Sequence, residues 1–212
     1  MSPCESAKRS SRLPEWLRVT LPEDESFART RKLLRAGKLH TVCQSARCPN
    51  IFECFSRHVA TFLILGDQCS RNCRFCNVDP AGSASLPAPD PDEPRRVAEA
   101  AKELGLKHVV ITSVTRDDLA DGGAGHFAAV MAAVRAGLPE ATVEVLIPDL
   151  QGDSKALDLV FAARPEVLNH NVETAPRLYG AIRPQAVYAR SLQVISLARE
   201  AGLRTKSGLM VG

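Results

Sequence analysis

Two groups of cysteines are the residues best placed to do chemistry. "CQSARCPNIFEC" (43–54) spaces three thiols as C-x4-C-x5-C, and "CSRNCRFC" (69–76) spaces three more as C-x3-C-x2-C. These hold six of the seven cysteines, none follows Cys76, and Cys4 stands alone as a free thiol in a polar stretch. Disulfide frameworks spread cysteines through a small secreted domain, so a tight cluster with an odd total points to metal. Thiolates spaced C-x3-C-x2-C wrap three corners of an iron–sulfur cube. Ordinary four-iron clusters take four cysteines, so a trio leaves one iron without a protein ligand. An open position is how a metal site joins in chemistry instead of only bracing a fold. Phe75, just before Cys76, would wall the cluster from solvent. The alternative for this trio is zinc with a histidine or aspartate as fourth ligand, but zinc ribbons favour paired C-x2-C knuckles and no second knuckle occurs. For Cys43, Cys48 and Cys54, a structural zinc or an electron-transfer cluster are the rivals on spacing alone.

Stepping along the chain shows what must position these groups. "HVATFLILG" (58–66) is β-branched and apolar and ends at glycine, so it reads as a buried strand leading directly into the second trio. The first trio is expected in a loop around Pro49 and Asn50. Before it, a helix is expected from Ser26, its N-cap, to Ala36, preceded by an irregular arm to about residue 25. After a Pro/Ala/Ser-rich connector, Asp92 and Pro94 open a helix with the stripe Val97, Ala101 and Leu104. Strands at 108–114, 142–148, 166–173 and 205–212 then alternate with helices at 124–136, around Leu157, Val160 and Phe161, and from Tyr188 to Ala201. Alternation through five strands predicts a parallel sheet with right-handed crossovers. A doubly wound sheet and a βα barrel both fit, and the lack of GxGxxG after the first strand counts against a dinucleotide-binding sheet. The chain stops on an apolar strand without a covering helix, which predicts further βα units beyond Gly212.

Composition excludes several classes. Hydrophobic residues are 45% and charged residues 24%, an ordinary globular mix, and no apolar run reaches the ~18 residues of a membrane span. "MSPCESAKRSSR" lacks the apolar centre of a signal peptide, so a cytoplasmic location is expected. The net charge is +3, the 27 basic residues are scattered, and aromatics are only 5%, which does not describe a nucleic-acid surface.

With a strand before it and an aromatic inside it, the second trio resembles the signature of the radical S-adenosylmethionine (SAM) superfamily. In that superfamily the open iron is chelated by the amino and carboxylate groups of SAM. An electron from the cluster then cleaves SAM to methionine and a 5′-deoxyadenosyl radical. Beside it, the first trio resembles the auxiliary-cluster motif of the lipoyl synthase family. "WLRVTLP", "GKLHTVCQSARCPNIFEC", "ATFLILGDQCSRNCRFCNVD", "VVITSVTRDDLADGGAGHF", "VEVLIPDLQG", "LNHNVETAPRLY" and "TKSGLMVG" are similar to segments of that family, in its order, from about residue 14 onward.

The resemblance implies an α/β fold. It would be a partial (β/α) barrel of the radical SAM type over residues 58–212, with an N-terminal extension, 1–57, carrying the auxiliary-cluster cysteines. It implies two 4Fe–4S clusters, on Cys43, Cys48 and Cys54 and on Cys69, Cys73 and Cys76. The implied reaction inserts sulfur from the auxiliary cluster at C6 and C8 of an octanoyl chain on a lysine of a lipoyl carrier domain. Carriers would be 2-oxoacid dehydrogenase E2 subunits and the glycine cleavage H protein, with an electron donor as further partner, no nucleic acid or membrane partner, and a monomeric enzyme. The family closes its auxiliary cluster with a serine from an Arg-Ser-Ser-Ser motif near the C-terminus. No such motif occurs here, and "KRSSR" (8–12) is at the wrong end and lacks the third serine. The alternatives are another two-cluster radical SAM enzyme of methylthiotransferase type, or a non-catalytic metal-binding or electron-transfer module.

In a βα barrel, active sites gather at the C-terminal ends of the strands. Thr112 and Ser113 end the second strand, and Asn169, Asn171 and Glu173 the fourth; of these, Thr112, Ser113, Asn171 and Glu173 are the expected SAM contacts. Asp117, Asp118 and the Gly122–Gly123 turn suit capping and loop closure. His40, His58 and His170 are expected to be structural, and Arg177 and Arg183 to be solvated surface residues.

Overall fold

The computed structural model of the chain describes residues 25–57, 59–82 and 85–211. Cys4, the arm containing "WLRVTLP" and His58 lie outside the described residues. Helix α1 spans Ser26–Ala36, with Glu25 in the cap position that the sequence suggested for Ser26. The Arg29 N–H bonds Glu25 O at 2.8 Å, which completes the first turn one residue early. A two-residue strand, β1 (His40–Thr41), leads into α2 (Val42–Ser45) and α3 (Ile51–Ser56). The cysteine segment expected as a loop is therefore two short helices. Thr41 explains the first, because its hydroxyl accepts the Gln44 N–H. Phe52 and Phe55 explain the second, packing on Phe27 of α1 with ring centroids 4.9 and 5.7 Å away, while Ile51 packs against the core.

Strand β2 (Thr61–Ile64) is followed by β3 (Gln68–Cys69) and β4 (Asp79–Pro80), which pair with each other as a separate two-stranded ladder. Next come α4 (Glu93–Glu103), β5 (His108–Ser113), α5 (Ala124–Gly137), β6 (Thr142–Leu146), a 3-10 turn at Leu150–Gly152, α6 (Ser154–Ala162) and β7 (Val167–Asn169). A second 3-10 turn (Pro176–Leu178), α7 (Tyr179–Ile182), α8 (Tyr188–Glu200) and β8 (Thr205–Lys206) complete the order. The main sheet runs β1-β2-β5-β6-β7-β8, parallel throughout except for β1. Among the described residues β1 and β8 are its open edges. The last predicted strand, 205–212, shrinks to two ladder residues plus an isolated Glu173–Leu209 bridge.

Side chains alternate across a pleat, so register decides what each face carries. Phe62, Ile111, Val145 and Leu168 align across four strands, and each is fully buried. They share one core with Val97, Ala101, Phe127, Met131, Leu157, Val160, Val194 and Ala198 of the helices. The neighbouring row, Leu63–Thr112–Leu146–Asn169–Lys206, faces the other way and turns polar toward β8. Leu34, Leu39 and Phe55 of the N-terminal segment belong to the same core, so that segment is built onto the sheet.

Truncating Phe127 to alanine is expected to lower unfolding free energy by about 3–5 kcal/mol in urea titrations. Leu159→Ala, at an exposed position of α6, is expected to stay within ~0.5 kcal/mol of the parent.

Candidate metal centre

The loop after β2 is held at several points by the protein itself. Cys69 ends β3, and its carbonyl accepts the Ala81 N–H at 2.8 Å, closing the loop behind Cys76. Ser70 donates N–H and Oγ to Thr115 O, both at 2.9 Å, and accepts the Asp117 N–H. Arg71 is buried and forks onto two carboxylates. Nε and Nη2 reach Asp117 at 2.6 and 2.9 Å, and Nη2 also reaches Asp149 at 2.6 Å. Asp149 is fully inaccessible and also takes the Gln151 N–H and Arg190 Nη1. Burial pushes its carboxyl up, but the hydrogen bond and charge of Arg71 outweigh that and hold it below its ordinary value. Burial likewise opposes the Arg71 charge, and its two carboxylates raise it above the usual arginine value. The loop is thus clamped to the segments following β5 and β6.

The sulfurs meet backbone donors. Arg71 and Thr115 give N–H groups to Cys69 Sγ at 3.4 and 3.3 Å, and Val78 gives one to Cys76 Sγ at 3.5 Å. N–H donors aimed at sulfur suit a thiolate and are among the features that set an iron–sulfur cluster's potential. Burial raises the Cys73 thiol, Arg183 lowers it, and Cys69 and Cys76 raise it again, so the three sulfurs sense one another. Among the described residues no three His, Cys, Asp or Glu side chains converge as they would around a single ion. Thiols around a cube stand farther apart than around one ion, so three thiols on one loop, two of them met by N–H donors, fit the cluster. Phe75 is 41% exposed and forms at most an open wall.

The first trio also brings three thiols together, without a comparable arginine clamp among the described residues. Cys43 lies on α2, Cys54 on α3, and Cys48 between them, where its N–H bonds Cys43 O at 3.0 Å. Burial raises the Cys43 thiol, the Thr61 backbone lowers it, and Cys48 raises it. Cys54 is raised by burial and then by Cys43 and Cys48. One direct bond joins the two cysteine segments: Asn77 Nδ2 donates to Ser45 O at 2.8 Å.

The other predicted residues divide by environment. Thr112 shares the polar-turning row, but its hydroxyl donates to Leu146 O at 2.8 Å, leaving only lone pairs. Ser113 Oγ and Asn169 Oδ1 are buried without a partner, as are His170 Nε2 and Arg183 Nε. Buried polar atoms without partners are rare, and four at the C-terminal ends of β5 and β7, which flank β6, and in the loops beyond them suit a polar ligand. Asn171 Nδ2 donates to Glu173 Oε1 at 3.0 Å, bringing these two together. Glu173 sits at φ +62°, a left-handed conformation uncommon for glutamate. It is fixed there by its N–H to Gly208 O and its carbonyl to the Met210 N–H. Gly208 packs so closely that a Cβ would come 2.7 Å from Asn171 Oδ1.

His170 is structural as expected: its Nδ1 bonds Ile147 O at 2.9 Å and burial lowers its pKa. Asp118 is spent on Arg116, whereas Asp117 belongs to the Arg71 clamp. Arg177 is exposed. Arg183 corrects the sequence reading, since it is buried beside Cys73 instead of solvated. Sequence reasoning also missed Arg71 and Asp149. The signal in the sequence was weak, because the cysteine loop holds two arginines, Arg71 and Arg74, and the second is exposed.

Comparison with known proteins agrees with this geometry. The sequence profile of the radical SAM superfamily matches residues 63–212. The N-terminal domain of lipoyl synthase of the radical SAM family matches residues 4–48. A solved methylornithine synthase shares the fold at TM-score 0.53 and 15% identity, covering 88% of this chain and 56% of that one. A parallel sheet with three thiols on the loop leaving its first parallel strand therefore defines a radical SAM protein. The chain is 60% identical over its whole length to lipoyl synthase of Oleidesulfovibrio alaskensis, spanning 72% of it. It is 59% identical to that of Nitratidesulfovibrio vulgaris strain DP4, spanning 70%, and 55% identical over 201 residues to that of Chlorobaculum tepidum, spanning 68%. The chain belongs to the lipoyl synthase family, which separates it from a methylthiotransferase-like enzyme and from a passive metal module.

The Arg71 clamp carries a pH signature. A carboxyl whose folded pKa is depressed contributes stability above its unfolded value, about 3.9, and loses it as pH falls through the folded value. Asp149→Asn is expected to destabilise the chain at pH 7 by about 3 kcal/mol or more. In urea titrations the gap to the parent should narrow as pH drops below about 4; a constant gap would contradict the clamp.

Proposed function

We propose that the protein inserts sulfur at C6 and C8 of an octanoyl chain held on a lysine of a lipoyl carrier domain. The observation that carries this is the pairing of two three-thiol sites in one fold, one leaving β2 and one on α2 and α3, joined through Asn77 and Ser45. When bound, a cluster on Cys69, Cys73 and Cys76 with SAM at its open iron supplies a radical, and a cluster on Cys43, Cys48 and Cys54 supplies sulfur. Unactivated C–H bonds need the first, and the carbon radical needs sulfur within bonding reach. One cluster does not serve both ends if it must stay intact to hold SAM.

The residues of this chain set up that division. Backbone N–H groups donate to the Cys69 and Cys76 sulfurs, and the Arg71 clamp fixes the loop between them. Asn171 and Glu173, held together by Gly208, present amide and carboxylate groups for the amino, carboxylate and ribose groups of SAM. Ser113 offers a buried hydroxyl, and Thr112 offers acceptor lone pairs. Octanoylated E2 and H-protein domains are the expected partners, with a low-potential one-electron donor, and the enzyme is taken to act as a monomer in the cytoplasm. No helix among the described residues is long and apolar enough to cross a membrane.

Anaerobic reconstitution with iron and sulfide should produce a broad visible absorbance, and failure to take up iron would end this reading. With SAM, a reductant and an octanoylated carrier domain, Cys69→Ala is expected to abolish 5′-deoxyadenosine formation. Cys48→Ala should retain some SAM cleavage while sulfur insertion stops; loss of both activities would refute the division of labour.

A further inference from the structure

Arg183 is an arginine in the wrong place for its charge. It is 9% exposed, and its partners are neutral. Nη1 donates to Asn171 O at 3.0 Å and to Tyr179 OH at 3.2 Å, and the guanidinium carbon lies 5.5 Å from the Tyr179 ring centroid. Its Nε is buried with no partner. A buried cation without a carboxylate is costly, and such charges persist when an anion answers them.

The backbone shows where that anion belongs. The Arg74 N–H bonds Ile182 O at 2.9 Å, and the Asn72 N–H bonds Gln185 Oε1 at 3.3 Å. Residues 72–74 are thereby laid along 182–185, which sets Arg183 against Cys73. The other buried arginines near the loop are already matched: Arg71 by Asp117 and Asp149, and Arg116 by Asp118. Arg183 is left over, and it faces a cysteine.

We propose that Arg183 is the built-in counter-charge of the cluster on Cys69, Cys73 and Cys76, and that it makes this cluster easier to reduce. The proposal rests on the reading of those three cysteines as cluster ligands. A four-iron cube held by three thiolates is anionic, and the electron it takes from a low-potential one-electron donor makes it more so. A fixed cation in a low-dielectric site favours the reduced form more than the oxidised one. Arg183 is a positioning and tuning residue here, acting on the potential through the thiolate.

The test reads the potential, not turnover. In a full-length background with Cys43, Cys48 and Cys54 changed to alanine, the remaining cluster is reconstituted and titrated with mediators, without SAM, and followed by electron paramagnetic resonance. Arg183→Gln is expected to cut the reduced-to-oxidised ratio at fixed potential about tenfold, a midpoint lower by about 59 mV for one electron. Arg183→Lys, which keeps the charge, should stay near the parent. A Gln variant with the parental midpoint, or a Lys variant shifted as far as Gln, overturns the proposal. If the Gln variant folds by circular dichroism but takes up no iron while the Lys variant does, the counter-charge is needed even for assembly, which supports the proposal; a Lys variant that also fails counts against it. A shift that appears only when SAM is added would make Arg183 a partner of the SAM carboxylate, and that also overturns it. Failure of the parent background to bind iron would instead strike the functional reading itself.

Discussion

The buried fork from Arg71 to Asp117 and Asp149 is the interaction on which the site depends. It takes a residue from inside a cysteine loop and ties it to the segments that follow two neighbouring parallel strands. Apolar anchoring is confined to the loop's ends, Cys69 and Val78, since Phe75 is exposed, and thiols held only by coil between them would wander. A buried guanidinium shared between the inaccessible Asp149 and the part-buried Asp117 gives directional, charge-assisted bonds. The cost of burial is offset by pairing, which is why Arg71 and Asp149 are each shifted toward the charged form. Ser70, Thr115 and Ala81 then fix the loop's remaining backbone, and the sulfurs are presented by that scaffold.

The sheet makes this arrangement possible. Its fully buried row, Phe62 through Leu168, commits one face to the helices and leaves the other to carry Thr112, Asn169 and Lys206. Loops leaving the strand ends then converge, so that Cys69, Thr115, Asp149, Asn171 and Glu173, scattered along the chain, share one end of the fold. The N-terminal segment is joined to the same end by β1, by its share of the core and by the Asn77–Ser45 bond. Two clusters placed on one rigid body can act on one carbon chain; on two independent bodies their separation would vary.

The sequence revealed much of this because its clearest signals are periodic or chemically rare. Five apolar strands, their alternating helices and six spaced cysteines needed no tertiary information. The short helices at Cys43 and Cys54 were not legible, because Pro49 and Asn50 read as loop residues and α3 exists by stacking on Phe27. Arg183 was misjudged for a related reason: nothing in "AIRPQ" shows that the Asn72–Arg74 loop folds over it. Asp149 looked like one more loop aspartate, since its partner is 78 residues away. The unusual backbone of Glu173 is likewise a product of tertiary bonds to Gly208 and Met210.

The central claim is that one trio generates the radical and the other surrenders sulfur. Its most direct measurement is isotopic. The protein is reconstituted with 34S-sulfide, freed of excess sulfide and given SAM, reductant and an octanoylated carrier domain for a single turnover, and the carrier is read by mass spectrometry. Both sulfurs gained should be 34S, and none should appear when Cys43, Cys48 and Cys54 are alanine. Unlabelled sulfur in the product, or labelled product from the alanine variant, would contradict the account.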